Sequence, residues 1–194
     1  MRYCIGFQYI STNNCNICNE ASNFHYGLKG TNAENTKLLF VLHKPDSRII
    51  ENCLSFTDPY FIALAESATG KNLSRLLSQC ELNLDDIFLT NLFKCTLPED
   101  RNPKKTEYQN CLKILNNQIL EFSPKKIVVC GRKAYEILFP KDYNKVHDDS
   151  SLATIHSYSE IPSFILPHPS SMQIEKIGKQ KYNSILKELQ GFLR

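Results

Sequence analysis

Apolar positions along the chain change their spacing several times, and the changes divide it into alternating strands and helices. Residues 1–36 are polar and irregular, with Asn-rich stretches, and predict a loop-rich arm. Leu38–Leu42 is a short continuous apolar run, the pattern of a strand buried on both faces. Ile87–Asn91, Lys126–Cys130 and residues 163–167 are three more short strands. Between them the spacing turns helical. Over 60–79 it runs through Phe61, Leu64, Ala65, Leu73, Leu76 and Leu77, with an interruption near Thr69-Gly70. Over 104–122, starting near Pro103, it runs through Leu112, Leu115, Ile119 and Phe122. A third helix follows Gly131 directly and runs through Leu138 until Pro140 ends it. Residues 140–151 read as a polar loop, and 175–193 as a closing amphipathic helix.

Strands alternating with helices at this spacing predict an α/β fold: three layers, α/β/α, around a central, mostly parallel four-stranded sheet. The chain is expected to form a single domain, 1–194, with residues 1–36 as its N-terminal arm. Open parallel sheets bind ligands outside the carboxyl ends of their strands. Those ends read His43-Lys44-Pro45-Asp46, Asn91-Leu92-Phe93-Lys94, Gly131-Arg132 and His168-Pro169-Ser170-Ser171. Polar, hydrogen-bonding residues are therefore expected to meet at one edge.

Composition narrows this picture only slightly. Of 194 residues, 42% are hydrophobic and 22% charged, enough for a sizeable core. The net charge of +3 does not by itself announce nucleic acid, so any such role rests on local patches. No membrane span or signal-peptide core is legible, and the expected setting is cytoplasmic.

The eight cysteines add chemistry. In a cytosolic chain they favour a metal or cluster over a disulfide framework. Cys15 and Cys18 form a C-x2-C, half of a tetrahedral thiolate site, and Cys95 and Cys111 are the expected remaining donors. Cys4, Cys53, Cys80 and Cys130 lie in or beside apolar segments and read as small core residues.

Thr90-Asn-Leu-Phe-Lys-Cys95, Arg101-Asn-Pro, Glu107 to Cys111, Gly131-Arg132 with Ala134, and His168-Pro-Ser, taken in that order, resemble the iron–sulfur (family 4) branch of the uracil-DNA glycosylase superfamily. The resemblance covers residues 15–190. It implies a DNA glycosylase that flips a base out of single- or double-stranded DNA and hydrolyses its N-glycosidic bond, acting as a monomer. It also implies that Cys15, Cys18, Cys95 and Cys111 hold a structural [4Fe–4S] cluster, with zinc as the alternative metal. Asn91 would read the Watson–Crick edge of the flipped base, and His168 would stabilise the departing uracil anion. Ser170, Ser171 and Met172 would press on the DNA, with Met172 as a wedge. Lys94, Arg101, Lys104 and Lys105, and also Lys71 and Arg75, are candidate phosphate contacts.

The first motif departs from the family. Where the family has G-E-A-P-G, this chain has Leu42-His43-Lys44-Pro45-Asp46, so only the proline matches. Asp46 or His43 is the expected water-positioning group. Lys44 places a positive charge where it would oppose an oxocarbenium-like sugar. Phe56, Tyr60 or Phe61 would supply the ring that stacks on the base. The altered motif leaves two alternatives: a glycosylase for a bulkier modified pyrimidine, and a non-catalytic DNA-binding iron–sulfur module.

Overall fold

The computed structural model describes Cys18 and residues 27–45, 67–143 and 152–194. Six strands form one sheet: β1 (Leu28–Lys29), β2 (Leu38–Leu42), β3 (Ile87–Asn91), β4 (Lys126–Cys130), β5 (Thr154–Tyr158) and β6 (Ile161–Leu166), in the order β1-β3-β2-β4-β6-β5. The central four, β3-β2-β4-β6, are parallel, as the alternating pattern predicts. The sequence expectation omitted the two antiparallel edges, β1 on β3 and β5 on β6. The β5–β6 turn is Ser159-Glu160, with φ of 50° and 69° at its two residues. Two-residue hairpin loops favour that left-handed pair, which Asn-Gly usually supplies. With neither residue present, the hairpin carries no turn signature.

The central strands are continuous apolar runs because helices cover both faces. Alternate residues enter separate cores. Leu39, Val41, Phe88, Ile127, Val129 and Ile165 pack on one side with α3 (Lys105–Phe122) and α4 (Arg132–Leu138). Phe40, Leu42, Leu89, Val128, Phe164 and Leu166 pack on the other with α2 (Ala68–Gln79) and α7 (Lys179–Leu193). The short helices are α1 (Ala33–Thr36), α5 (Pro140–Tyr143) and α6 (Ser171–Ile177).

Helix limits follow local chemistry. The Ser67 hydroxyl accepts the Gly70 N–H at 3.0 Å and starts α2. At the start of α3 the Glu107 carboxylate accepts the Lys104 N–H at 2.6 Å. The expected closing helix is two, α6 and α7, separated at Gly178 with φ 86°. Pro140 opens α5 where a loop was expected, because proline suits a first helical turn. No helix among the described residues is long and apolar enough to cross a membrane.

Candidate active site

Four strand ends meet at the carboxyl edge of the parallel sheet. Asn91 ends β3 opposite Leu42, the last residue of β2. The pairing runs beyond both strands: Leu92 N–H donates to Leu42 O at 2.7 Å and Phe93 N–H to His43 O at 2.9 Å. Asn91 is buried there. On the other side of β2, β4 ends at Cys130, and Gly131 N–H donates to Leu166 O at 2.7 Å. The chain connections from β2 and β4 run in opposite directions across the sheet. The crevice between their ends is therefore the topological switch point.

Gly131 brings His168 into this crevice. Its φ of 96° lies where side chains are disfavoured, and a Cβ at this position would stand 3.2 Å from His168 Cβ. Burial lowers the His168 pKa, leaving the imidazole neutral near pH 7. His43 lies close enough to His168, Lys44 and Lys133 to feel their charges. Burial first, then those charges, lowers its pKa to about 4. Its Nε2 is 2.6 Å from the Tyr108 hydroxyl, and the two rings stack with centroids 5.9 Å apart.

Lys44 points elsewhere. Its Nζ donates to Asp100 O at 2.8 Å and to Asp100 Oδ1 at 2.5 Å. The expected opposition between Lys44 and a cationic sugar is thus met by a carboxylate that pairs with it. Glu99 and Asp100 both have φ of 52°, an uncommon left-handed conformation for such residues. The Lys44 contacts secure that turn to the end of β2. Arg101 continues the bracing: its guanidinium grips Glu107 through Nη1 at 2.9 Å and Nη2 at 2.8 Å. Arg101, first among the causes, holds the Glu107 carboxyl below its ordinary range.

One expectation for the DNA-facing side chains is corrected. Lys94 is 0% exposed and cannot reach a phosphate. It donates to Thr90 Oγ1 at 2.6 Å and Gln118 Oε1 at 2.5 Å inside the core. Burial lowers its pKa to about 7. Lys104, Lys105, Lys71 and Arg75 are exposed, as is Ser171, while Ser170 is partly so. Met172, at the start of α6, is 77% exposed beside Ser171, whose hydroxyl accepts from Asn72 at 3.2 Å. Asp46, Phe56, Tyr60, Phe61 and Cys15 lie outside the described residues.

Three of the four proposed metal ligands come to one region. Cys95 and Cys111 are both buried in the core that packs with α3. Asn110, next to Cys111, donates to Cys18 Sγ at 3.9 Å. Among the described residues no three His, Cys, Asp or Glu side chains gather within coordination range of a common point. The donor type and the shared region nevertheless fit a thiolate-ligated centre. Cys80 and Cys130 behave as expected of core thiols, since burial raises the pKa of both, that of Cys130 to about 12.

Sequence reasoning missed Tyr108, Asp100 and Gln118. Tyr108 sits three residues before Cys111 and seven before Leu115, so it belongs to the buried stripe of α3. That spacing was the available signal. Asp100 and Gln118 become visible only through their partners across the fold.

Comparison with known proteins bears on the same residues. The family model described as "Uracil DNA glycosylase superfamily" matches residues 29–190. The type-4 uracil-DNA glycosylase of Sulfurisphaera tokodaii is 29% identical over 128 residues, covering 61% of this chain and 58% of that protein. The type-4 uracil-DNA glycosylase of Saccharolobus solfataricus is 38% identical over 73 residues, 37% of this chain and 34% of that one. That of Archaeoglobus fulgidus is 35% identical over 72 residues, 37% and 36% of the two chains. The chain thus spans between about a third and three-fifths of the length of these relatives. A switch-point crevice carrying Asn91, Gly131 and His168, within a family match that runs from β1 into α7, leads to one assignment: the chain belongs to the uracil DNA glycosylase superfamily.

Proposed function

We propose that the chain is a DNA glycosylase that releases uracil from DNA. The observation that carries this reading is the meeting of Asn91, His43 and His168 at one switch point, with Gly131 packed on His168. The type-4 uracil-DNA glycosylase names of the relatives support it.

In the proposed reaction a flipped uridine enters the crevice and the Asn91 amide bonds its base edge, an amide offering both a donor and an acceptor. Water attacks C1′; its oxygen bonds to that carbon as the C1′–N1 bond breaks, and the bonding pair leaves on the base. Neutral His168 donates a hydrogen bond to the uracil O2, where the negative charge develops. The proton lost by water passes to His43 or Asp46, or to solvent. His43 suits positioning of that water better than strong base catalysis, since a pKa of about 4 makes a weak acceptor. Phe56 or Tyr60 would stack on the base. Ser170, Ser171 and Met172, with Lys104 and Lys105, would face the DNA.

Cys15, Cys18, Cys95 and Cys111 would hold a [4Fe–4S] cluster that stabilises the loop and helix behind the crevice. It would tie residues 1–36 to the rest of a single domain. The iron content and visible spectrum of anaerobically purified protein test this; a colourless zinc protein would refute the cluster.

The activity test is base release from oligonucleotides carrying uracil, hypoxanthine, mismatched thymine or modified cytosine, read as alkali-labile sites. Uracil release that is lost in Asn91→Ala and His168→Ala, with folding intact, is the expected result. A second reading, excision of a bulkier modified pyrimidine, draws on the His43–Tyr108 stack, which rebuilds the motif at the end of β2. Release of modified cytosine but not uracil would select it. DNA binding without release of any base would leave a binding module.

A further inference from the structure

The hydroxyl of Tyr108 decides what His43 can do. Tyr108 is buried on α3, and its ring is held from two sides, stacked on His43 at 5.9 Å and edge-on to Phe93 at 6.2 Å. His43 is tied to the same pair twice. Its carbonyl oxygen accepts the Phe93 N–H at 2.9 Å, and its Nε2 meets the Tyr108 oxygen at 2.6 Å. A tyrosine hydroxyl is protonated near neutral pH, and when buried its hydrogen needs an acceptor. Among the described residues the only acceptor is the lone pair of His43 Nε2. With a hydrogen on Nε2, in a neutral or a cationic ring, the contact would turn around and orphan the buried O–H. The Tyr108 O–H therefore donates, and the ring hydrogen of His43 sits on Nδ1. Burial, followed by the charges of Lys44, Lys133 and His168, independently favours a neutral ring.

We propose that Tyr108 is a positioning residue that locks His43 as the Nδ1–H tautomer, so that His43 enters the reaction as a hydrogen-bond donor and not as its base. The role in the reaction rests on the glycosylase reading above; the tautomer does not. A neutral imidazole has one donor and one acceptor. Tyr108 occupies the acceptor, so taking a proton from water would mean breaking the 2.6 Å contact. What remains is the Nδ1–H, which has no acceptor among the described residues. Its partner in the proposed reaction is the oxygen of the attacking water, held through one lone pair while the other serves the attack on C1′. The proton that this water loses then goes to the other acceptors of that reaction. His43 is required as a fixed N–H, not as a titrating nitrogen.

The test is spectroscopic first. Wild type and Tyr108→Phe, with 15N-labelled imidazoles, are compared by NMR at pH 7, the His43 signals being identified by their loss in His43→Asn. The wild type is expected to show hydrogen on Nδ1 and a bare Nε2. In Tyr108→Phe, which lacks the hydroxyl, that preference should be lost. Hydrogen on Nε2 in the wild type overturns the proposal, as does an unchanged Nδ1–H form in Tyr108→Phe. A purely structural role for Tyr108 would alter stability and leave the tautomer as it was. Should Tyr108→Phe not accumulate, the wild-type spectrum and two His43 variants decide. The amide nitrogen of an asparagine overlies Nδ1 and donates, but it cannot act as a base. Single-turnover excision of uracil by His43→Asn is therefore expected to be about tenfold faster than by His43→Ala, the value of one good hydrogen bond. Equal rates in the two overturn the donor role. Wild-type protein that releases no uracil refutes the glycosylase reading, whereas the spectrum alone judges the tautomer.

Discussion

His43 and Tyr108 are joined by a 2.6 Å contact between imidazole Nε2 and phenol oxygen, although they are 65 residues apart. The pair fixes the ring that follows β2. Burial and nearby cations lower the His43 pKa to about 4, against about 6.5 unfolded. The unfolded chain therefore binds more protons between those values. Stability should level off above pH 6.5 and fall as pH drops towards 4, by roughly 3 kcal/mol. The burial of His168 acts in the same direction. Urea unfolding across pH 4–7 should show this slope, and His43→Asn should flatten it; an unchanged slope in that variant would assign the effect elsewhere.

Lys44→Ala should reduce base release rather than raise it, because the structure makes this lysine a brace for the 98–101 turn. Asp100→Ala should have a similar effect. A double-mutant cycle should give a coupling of about 0.5–1 kcal/mol in unfolding free energy, the range for a partly exposed pair. Increased uracil release from Lys44→Ala would mean that the lysine suppresses catalysis.

Gly131→Ala should be disproportionately harmful for the addition of one methyl group. The backbone there has φ 96°, and the new Cβ meets His168. About 1–3 kcal/mol of stability should be lost, together with at least tenfold in excision rate as His168 is displaced. Single-turnover kinetics and thermal unfolding measure the two effects. Retention of full activity would show that His168 need not occupy its observed place.

Glu107→Gln should loosen the loop before α3. The carboxylate takes two bonds from Arg101 and one from the Lys104 backbone. Its pKa is lowered, so its contribution is present above the unfolded value and fades as pH falls through the folded one. At pH 7 the substitution should cost about 1–3 kcal/mol, measured by denaturant unfolding, and the cost should shrink in acid.

The parallel core was legible because each central strand is an apolar run whose two faces are both covered. The edges were not: β5 alternates Ile155 and Ser157 with half-buried neighbours, and its turn lacks Asn and Gly. Within the site, Asn91, Gly131 and His168 stood out because strand ends concentrate chemistry. Lys94 was misplaced for a physical reason. A lysine near a loop is normally solvated, and only the packing of Gln118 against Thr90 reveals that this one is enclosed. The partners of Lys44 and His43 were hidden because Asp100 and Tyr108 join them across more than fifty residues.

The hydrogen bonds that carry β2–β3 pairing past the strands, Leu92 to Leu42 and Phe93 to His43, make one rigid ladder of two functional neighbours. On the proposed chemistry, the residue that inspects the base and the residue that attends the water cannot drift independently. A substitution that changes which base is accepted should also retune attack on the sugar. New specificity in this scaffold would then require paired changes on two adjacent rungs.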